Sequence, residues 1–225
     1  MRRGVRMAYI VENNGVYGLT KGQFSATADQ GSKSKKGVVN NDAAVDLVAM
    51  ALQLGATYVA RSFSGDKEQL VPLIKGAMSH GGAAFIDVIS PCVTFNNHGG
   101  STKSYDYVRQ HNEAVSRIDF ISPGSEITTS YAPGERVDVA QHDGSILRLR
   151  KLHDGYDPTD RHAALEHMHR HAAQGEVVTG LLYIDPLATD LHCAMNTAAA
   201  PLASLGPETL CPGGMTLAKI NAALR

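Results

Sequence analysis

The sequence predicts an α/β fold, a parallel sheet with covering helices, and three observations predict it. Short apolar runs at residues 7–12, 57–61 and 83–90 are rich in Val, Ile, Phe and Tyr, as strands are. Stretches between them carry apolar residues at helical spacing. The resulting order, strand, loop, helix, strand, helix, strand, is that of units whose helices pack back onto a parallel sheet.

Each element has its own reason. The first strand ends in Asn13-Asn14. Residues 43–54 place apolar side chains at 44, 45, 47, 48, 51, 52 and 54 and stop at Gly55, where a left-handed C-cap is expected. Residues 66–79 repeat the pattern, with Ser64 or Asp66 as N-cap and Gly81-Gly82 beyond the end. Residues 126–152 alternate in polarity around two turn-forming strings, Ala132-Pro133-Gly134-Glu135 and His142-Asp143-Gly144-Ser145, which predicts a β-hairpin or small meander as an appendage. A helix over 159–173 ends at Gly175, and 177–184 reads as a last strand. The tail from Pro186, rich in Ala, Pro, Leu and Gly, is expected to wrap a partner or neighbouring surface, with a short helix over 216–224. The domain division is set at 1–122 and 123–225, a core followed by a hairpin and helix extension.

Bulk properties exclude several functions. A chain of 225 residues, 43% hydrophobic, buries a substantial core. Its 21 basic against 22 acidic side chains leave no electrostatic footprint for nucleic acid or an anionic membrane. No apolar stretch approaches the roughly 20 residues of a membrane helix, and the basic start leads into no cleavage signal, so a cytoplasmic protein is expected. Cys92, Cys193 and Cys211 are too few, and too far apart, for a disulfide framework or a self-contained metal knuckle. The Gly31 to Gly37 patch, with three lysines, reads as a solvated cationic loop.

In parallel sheets ligands sit beyond the carboxyl ends of strands, so the loops after Glu12 and Ser90 form the functional edge. Two asparagines followed by glycines offer a side-chain amide oxygen and nearby carbonyls, hard ligands of the sort Mg²⁺ prefers. Asn-Gly is also an ordinary turn pair, and spacing alone leaves both readings open. His167 and His171 share a helix face within the run His162, His167, His169 and His171, but with no acidic or cysteine ligand at an obvious spacing they read as a polar face.

The string from Glu12 to Gln23, ENNGVYGLTKGQ, closely resembles the second half of the thiamine-diphosphate motif in the beta subunits of 2-oxoacid:ferredoxin oxidoreductases. A second string, Asp87 to Asn96, resembles their Ser-Pro-Cys segment, and the resemblance runs through Arg61-Ser62-Phe63, the loop 99–105 and the hairpin, so it covers nearly the whole chain. It looks closest to the 2-oxoglutarate type. The resemblance implies that Asn14 and the backbone of Val16 bind Mg²⁺, that Gly18 and Leu19 line the diphosphate, and that Lys21, assisted by Thr20, meets the 2-oxoacid carboxylate. It makes Cys92 one of four thiolates on a [4Fe-4S] cluster. A charged lysine suits such a carboxylate, whereas a lone cysteine by itself more often packs as a small hydrophobe.

The implied fold is a partial thiamine-diphosphate-binding fold. The implied reaction is oxidative decarboxylation of a 2-oxoacid to an acyl-CoA, with coenzyme A as cosubstrate, electrons passed to ferredoxin, and an alpha subunit as partner. The family's CxxC pair, third cluster cysteine and Gly-Asp-Gly aspartate have no counterpart in this sequence. A truncated or split gene product, or a start at an internal methionine, is therefore expected, with no activity alone. Two other readings stand beside it: a non-catalytic remnant that binds the alpha subunit, and a relative of acetohydroxyacid synthase, against which Cys92 argues.

Overall fold

The computed structural model describes residues 1–17, 23–31, 38–90, 127–140, 146–211 and 213–224. Two compact units divide it, Met1–Leu191 and His192–Arg225. In the first, the elements are β1 (Met7–Asn13), α1 (Leu47–Gln53), β2 (Tyr58–Phe63), α2 (Lys67–Ser79), β3 (Ala83–Ile89), β4 (Arg136–Ala140), β5 (Ile146–Lys151), α3 (Arg161–Ala172) and β6 (Val177–Ile184).

The strands form one six-stranded sheet in the order β1-β3-β2-β6-β5-β4. β1, β3 and β2 run parallel, as the alternation of strand and helix requires. β6 then pairs antiparallel to β2, β5 lies parallel to β6, and β4 closes antiparallel on β5. The hairpin is therefore part of the sheet rather than an appendage. Its attachment runs through β6, 26 or more residues further along the chain, a long-range pairing that local alternation does not encode. The division expected at residue 122 lies outside the described residues, and the strands beyond it continue the same sheet.

The helices cover the two faces. α1 and α3 pack on one, around Val48, Leu52, Val59, Phe85, Met168, Val178 and Leu182. α2 packs on the other, around Tyr58, Ala60, Leu73, Ala77 and Ile86. β2 and β3 are buried almost throughout, which is why their sequences are near-continuous apolar runs. Gly76 lets α2 close on the sheet, because a Cβ there would meet Tyr58 Oη at 2.7 Å, and that hydroxyl donates to the Leu73 carbonyl. Burial pushes the Tyr58 phenol up to about 12.

α1 starts later than the apolar spacing predicts because Asp46 caps it, its carboxylate accepting from the Val48 and Ala49 amides. Asp66, one of the two expected caps, does the same for α2 through the Gln69 amide, and its other oxygen meets Lys151 Nζ at 2.7 Å. α3 opens on Asp160 in the same way. The second unit holds α4 (Leu191–Ala194, begun at the boundary), a 3-10 turn at Leu202–Ser204, α5 (Pro207–Leu210) and α6 (Gly213–Ala223). α6 begins three residues before the expected start, and Met215, Leu217 and Ile220 along it are exposed. No helix among the described residues is long and apolar enough to cross a membrane.

Candidate functional site

The carboxyl ends of β1, β3 and β2 meet at one edge, where Asn13 lies opposite Ile89 and Ile89 opposite Phe63. Past that row, the Asn13 carbonyl accepts from the Ser90 amide at 2.9 Å. The chain then folds into two successive turns held by asparagine side chains. Asn13 Oδ1 accepts from the Thr27 hydroxyl at 2.7 Å and from the Gly15 amide at 3.3 Å, and Asn14 Oδ1 accepts from the Val16 amide at 3.1 Å. Gly15 takes φ +65°, a region open to glycine at little cost. Val16 bridges Phe24 in antiparallel fashion, and the Val45 amide donates to the Ala26 carbonyl, which ties this loop to the approach of α1.

A cavity of about 420 Å³ opens at this edge. Asn13, Asn14, Gly15 and Thr27 form its polar rim, and Met168, Ala172 and Val177 form an apolar wall from α3 and β6. Its floor is ionic. Arg61 on β2 donates through Nε to Asp87 Oδ2 at 2.9 Å and through Nη2 to Asp46 Oδ1 at 2.7 Å. Asp87 is 1% exposed, and its Oδ1 has no hydrogen-bond partner among the described residues. Register fixes this arrangement, since Val11, Asp87 and Arg61 occupy one row, two residues or roughly 6.6 Å below the row of Asn13.

A second buried cluster stands beside the wall. Glu176 receives Arg150 through Nε at 2.5 Å and Nη2 at 2.9 Å, and His171 Nδ1 lies 2.7 Å from its Oε2. Chiefly the Arg150 hydrogen bond, against the opposing effect of burial, holds the Glu176 carboxyl down at about 2. His167 lies between Tyr156 and His171, tilted against both rings, at ring-centre distances of 5.1 and 4.5 Å. Burial first, then the neighbouring positive groups, lowers its pKa. Among the described residues no group of three or more His, Cys, Asp or Glu is arranged to hold a metal. His162 and His169 are exposed, as a polar face requires, whereas His167 and His171 are half-buried and serve packing and the Glu176 pair.

Of the residues singled out in the sequence, Asn14 lines the cavity edge, and Val16 follows two residues on, its amide donating to Asn14 Oδ1. Gly18, Leu19, Thr20, Lys21 and Cys92 lie outside the described residues. Cys193 and Cys211 are exposed in the second unit and in no disulfide. The donor set at β1 fits a magnesium diphosphate. Asn14 Oδ1 is exposed with a lone pair beyond its one local hydrogen bond, a backbone carbonyl follows two residues on, and Mg²⁺ commonly takes few protein oxygens beside phosphate and water.

The Arg61–Asp87–Asp46 floor and the Glu176 cluster were missed by sequence reasoning. A signal for the first was available: Arg61 and Asp87 are opposite charges inside otherwise apolar strands, and buried charges are paired. Nothing local tied Glu176 to Arg150, 26 residues before it.

Comparison with known proteins defines the class first. Residues 1–88, from the start of the chain through β3, match the C-terminal TPP-binding domain of thiamine pyrophosphate enzymes. The relatives then narrow it. The beta subunit of a 2-oxoacid:ferredoxin oxidoreductase of Saccharolobus solfataricus is 46% identical over 99 residues, 43% of this chain and 32% of that one. The KorB subunit of 2-oxoglutarate synthase from Methanocaldococcus jannaschii is 41% identical over 157 residues, 67% of this chain and 57% of that one. A solved 2-oxoglutarate:ferredoxin oxidoreductase of Magnetococcus marinus, with 2-oxoglutarate, coenzyme A and succinyl-CoA bound, superposes with a TM-score of 0.57 at 25% identity, covering 89% of this chain and 57% of that one. This chain is a homologue of 2-oxoacid:ferredoxin oxidoreductase beta subunits. It spans between about a third and somewhat over half the length of these relatives.

Proposed function

We propose that the chain is part of the beta subunit of a cytoplasmic 2-oxoacid:ferredoxin oxidoreductase and supplies the magnesium-diphosphate side of a thiamine-diphosphate site. The observation that carries this is the pair of asparagine turns at the carboxyl end of β1, opening on the cavity and lying within the stretch matched by the thiamine pyrophosphate domain. Asn14 Oδ1 and the Val16 carbonyl hold Mg²⁺, and the loop through Gly18 and Leu19 lines the diphosphate. Lys21, with Thr20, fixes the substrate carboxylate by a charge-assisted hydrogen bond. Cys92 contributes one thiolate to a [4Fe-4S] cluster whose other ligands come from outside this sequence. Bound thiamine diphosphate supplies the carbon nucleophile for decarboxylation, while the protein binds, orients and excludes water. The substrate is 2-oxoglutarate, after the Methanocaldococcus and Magnetococcus relatives, with coenzyme A as acyl acceptor, ferredoxin as electron acceptor and an alpha subunit as partner.

The test is reconstitution with the alpha subunit of the same enzyme, followed by 2-oxoglutarate- and coenzyme-A-dependent reduction of ferredoxin. Lys21→Ala is expected to lower kcat/KM by about 10- to 100-fold, the size of one charge-assisted hydrogen bond. Unchanged kinetics would remove Lys21 from the site. A second reading is a non-catalytic subunit that only binds the alpha subunit. A stable complex with no turnover would select it.

A further inference from the structure

Among the described residues lining the cavity, Asp87 is the buried side chain with an unmet hydrogen-bonding demand. It lies two residues after Phe85, which packs with α1 and α3, so its carboxylate stands on the same face of the sheet as the α3 wall. Oδ2 accepts from Arg61, but Oδ1 accepts from nothing among the described residues. The other carboxylates of the cavity are differently placed. Asp46 is half-buried and receives Arg61 and two helix amides, Glu176 is held by Arg150 and His171, and Asp29 is exposed. A buried carboxylate oxygen left unpaired costs free energy that a donor arriving with a ligand recovers.

The surroundings narrow the donor. A cation at Oδ1 would sit beside the Arg61 guanidinium, which already supplies positive charge to Asp87, so a neutral N–H fits better. Around the floor stand apolar side chains, Val45 and Leu47 at the start of α1, Met168 on α3, Leu147 on β5, and Val177 and Val178 on β6. Such walls suit a flat ring, and the Met168 thioether makes favourable contacts with aromatic edges. The volume of about 420 Å³ is far more than one water fills and lies in the range of small-molecule sites. We infer that the cavity floor binds an amino-substituted nitrogen heterocycle, its exocyclic N–H donating to Asp87 Oδ1 and its ring lying against the apolar walls. Two molecules of the proposed reaction carry such a ring, thiamine in its aminopyrimidine and coenzyme A in its adenine. Naming those two rests on the proposed function, whereas the ring site stands on the cavity floor and does not depend on the magnesium-diphosphate rim.

The chain is titrated calorimetrically with adenosine and with thiamine, neither of which carries phosphate, in the presence of a metal chelator. Saturable binding of at least one is the expected result, adenosine assigning the floor to coenzyme A and thiamine assigning it to the thiamine cofactor. Purine riboside, which is adenosine without its amino group, and oxythiamine, in which oxygen replaces that of thiamine, should each bind about tenfold or more weakly than the parent, because the donor is gone. Asp87→Asn, its carbonyl oxygen kept on Arg61, turns an amide NH₂ to the ring, so preference should pass from adenosine to inosine, or from thiamine to oxythiamine. Ala172→Trp, at an exposed position of the cavity wall, should block binding while leaving the floor intact. Binding of neither parent ring, equal binding of parent and amino-free rings, an unchanged preference in folded Asp87→Asn, or wild-type binding by Ala172→Trp overturns the inference. If Asp87→Asn does not fold, the parent and amino-free rings on the wild type decide. Ring binding by a chain that takes no magnesium thiamine diphosphate would sink the rim reading and leave the floor site standing.

Discussion

Arg61 is the residue on which the cavity floor depends, because it is the cation shared by two carboxylates, one of them fully buried. Removing one member of such a group strands the other charge without water, which costs about 3–5 kcal/mol. Arg61→Met is therefore expected to lower unfolding stability by about that amount in urea titrations, and the double change Arg61→Met with Asp87→Leu to recover most of it. A loss below about 1 kcal/mol would show that the pair is not held as described. Glu176 makes a pH prediction of definite sign. Its folded pKa, about 2, lies below the ordinary 4.5, so its stabilisation is fully present above about pH 4.5 and is lost as the pH falls toward 2. Thermal scans should show the midpoint dropping through that window in the wild type and dropping less in Glu176→Gln. His167, its pKa lowered by burial, adds a loss of stability as the pH falls below the ordinary histidine range. At this scale the turns that follow β1 were legible, since a strand ending in Asn-Asn-Gly constrains the loop it opens. Glu176 was not legible, because its partners arrive from β5 and α3.

At the scale of elements, the helix starts are where single side chains do most. Asp46 both caps α1 and receives Arg61, so Asp46→Ala should cost about 1–2 kcal/mol for the cap alone and shift the urea midpoint accordingly. Asp46→Asn, which keeps the capping oxygen, should recover most of that part; equal losses in both variants would assign the effect to Arg61 instead. Gly180 on β6 sits at φ +131°, with Leu152 Cδ1 3.0 Å from where a Cβ would stand, so Gly180→Ala should destabilise the joint between β6 and the rest of the sheet. Strand cores and helix ends followed from the sequence to within a few residues, because periodicity and capping chemistry are local. The late start of α1 followed from a competition that spacing does not register, apolar residues at 44 and 45 against a capping aspartate at 46.

For the whole molecule, the parallel half of the sheet was legible and the rest was not. Strand and helix alternation dictates β1, β2 and β3, whereas the pairing of β6 with β2 depends on closing a loop of more than 100 residues, which no local pattern announces. The hairpin was recognised, yet its place within the main sheet was decided by β6. The same assembly brings Met168, Ala172 and Val177 to the cavity, so the site draws one wall from outside the stretch that matches the thiamine pyrophosphate domain. Binding of a magnesium diphosphate at this edge is tested most directly by calorimetric titration of the chain with thiamine diphosphate, with Mg²⁺ and with the metal chelated, in the wild type and in Asn14→Ala. Saturable binding that requires Mg²⁺ and weakens at least tenfold in Asn14→Ala is the expected result. Absence of binding to the wild type, or binding that neither chelation nor Asn14→Ala affects, would contradict it.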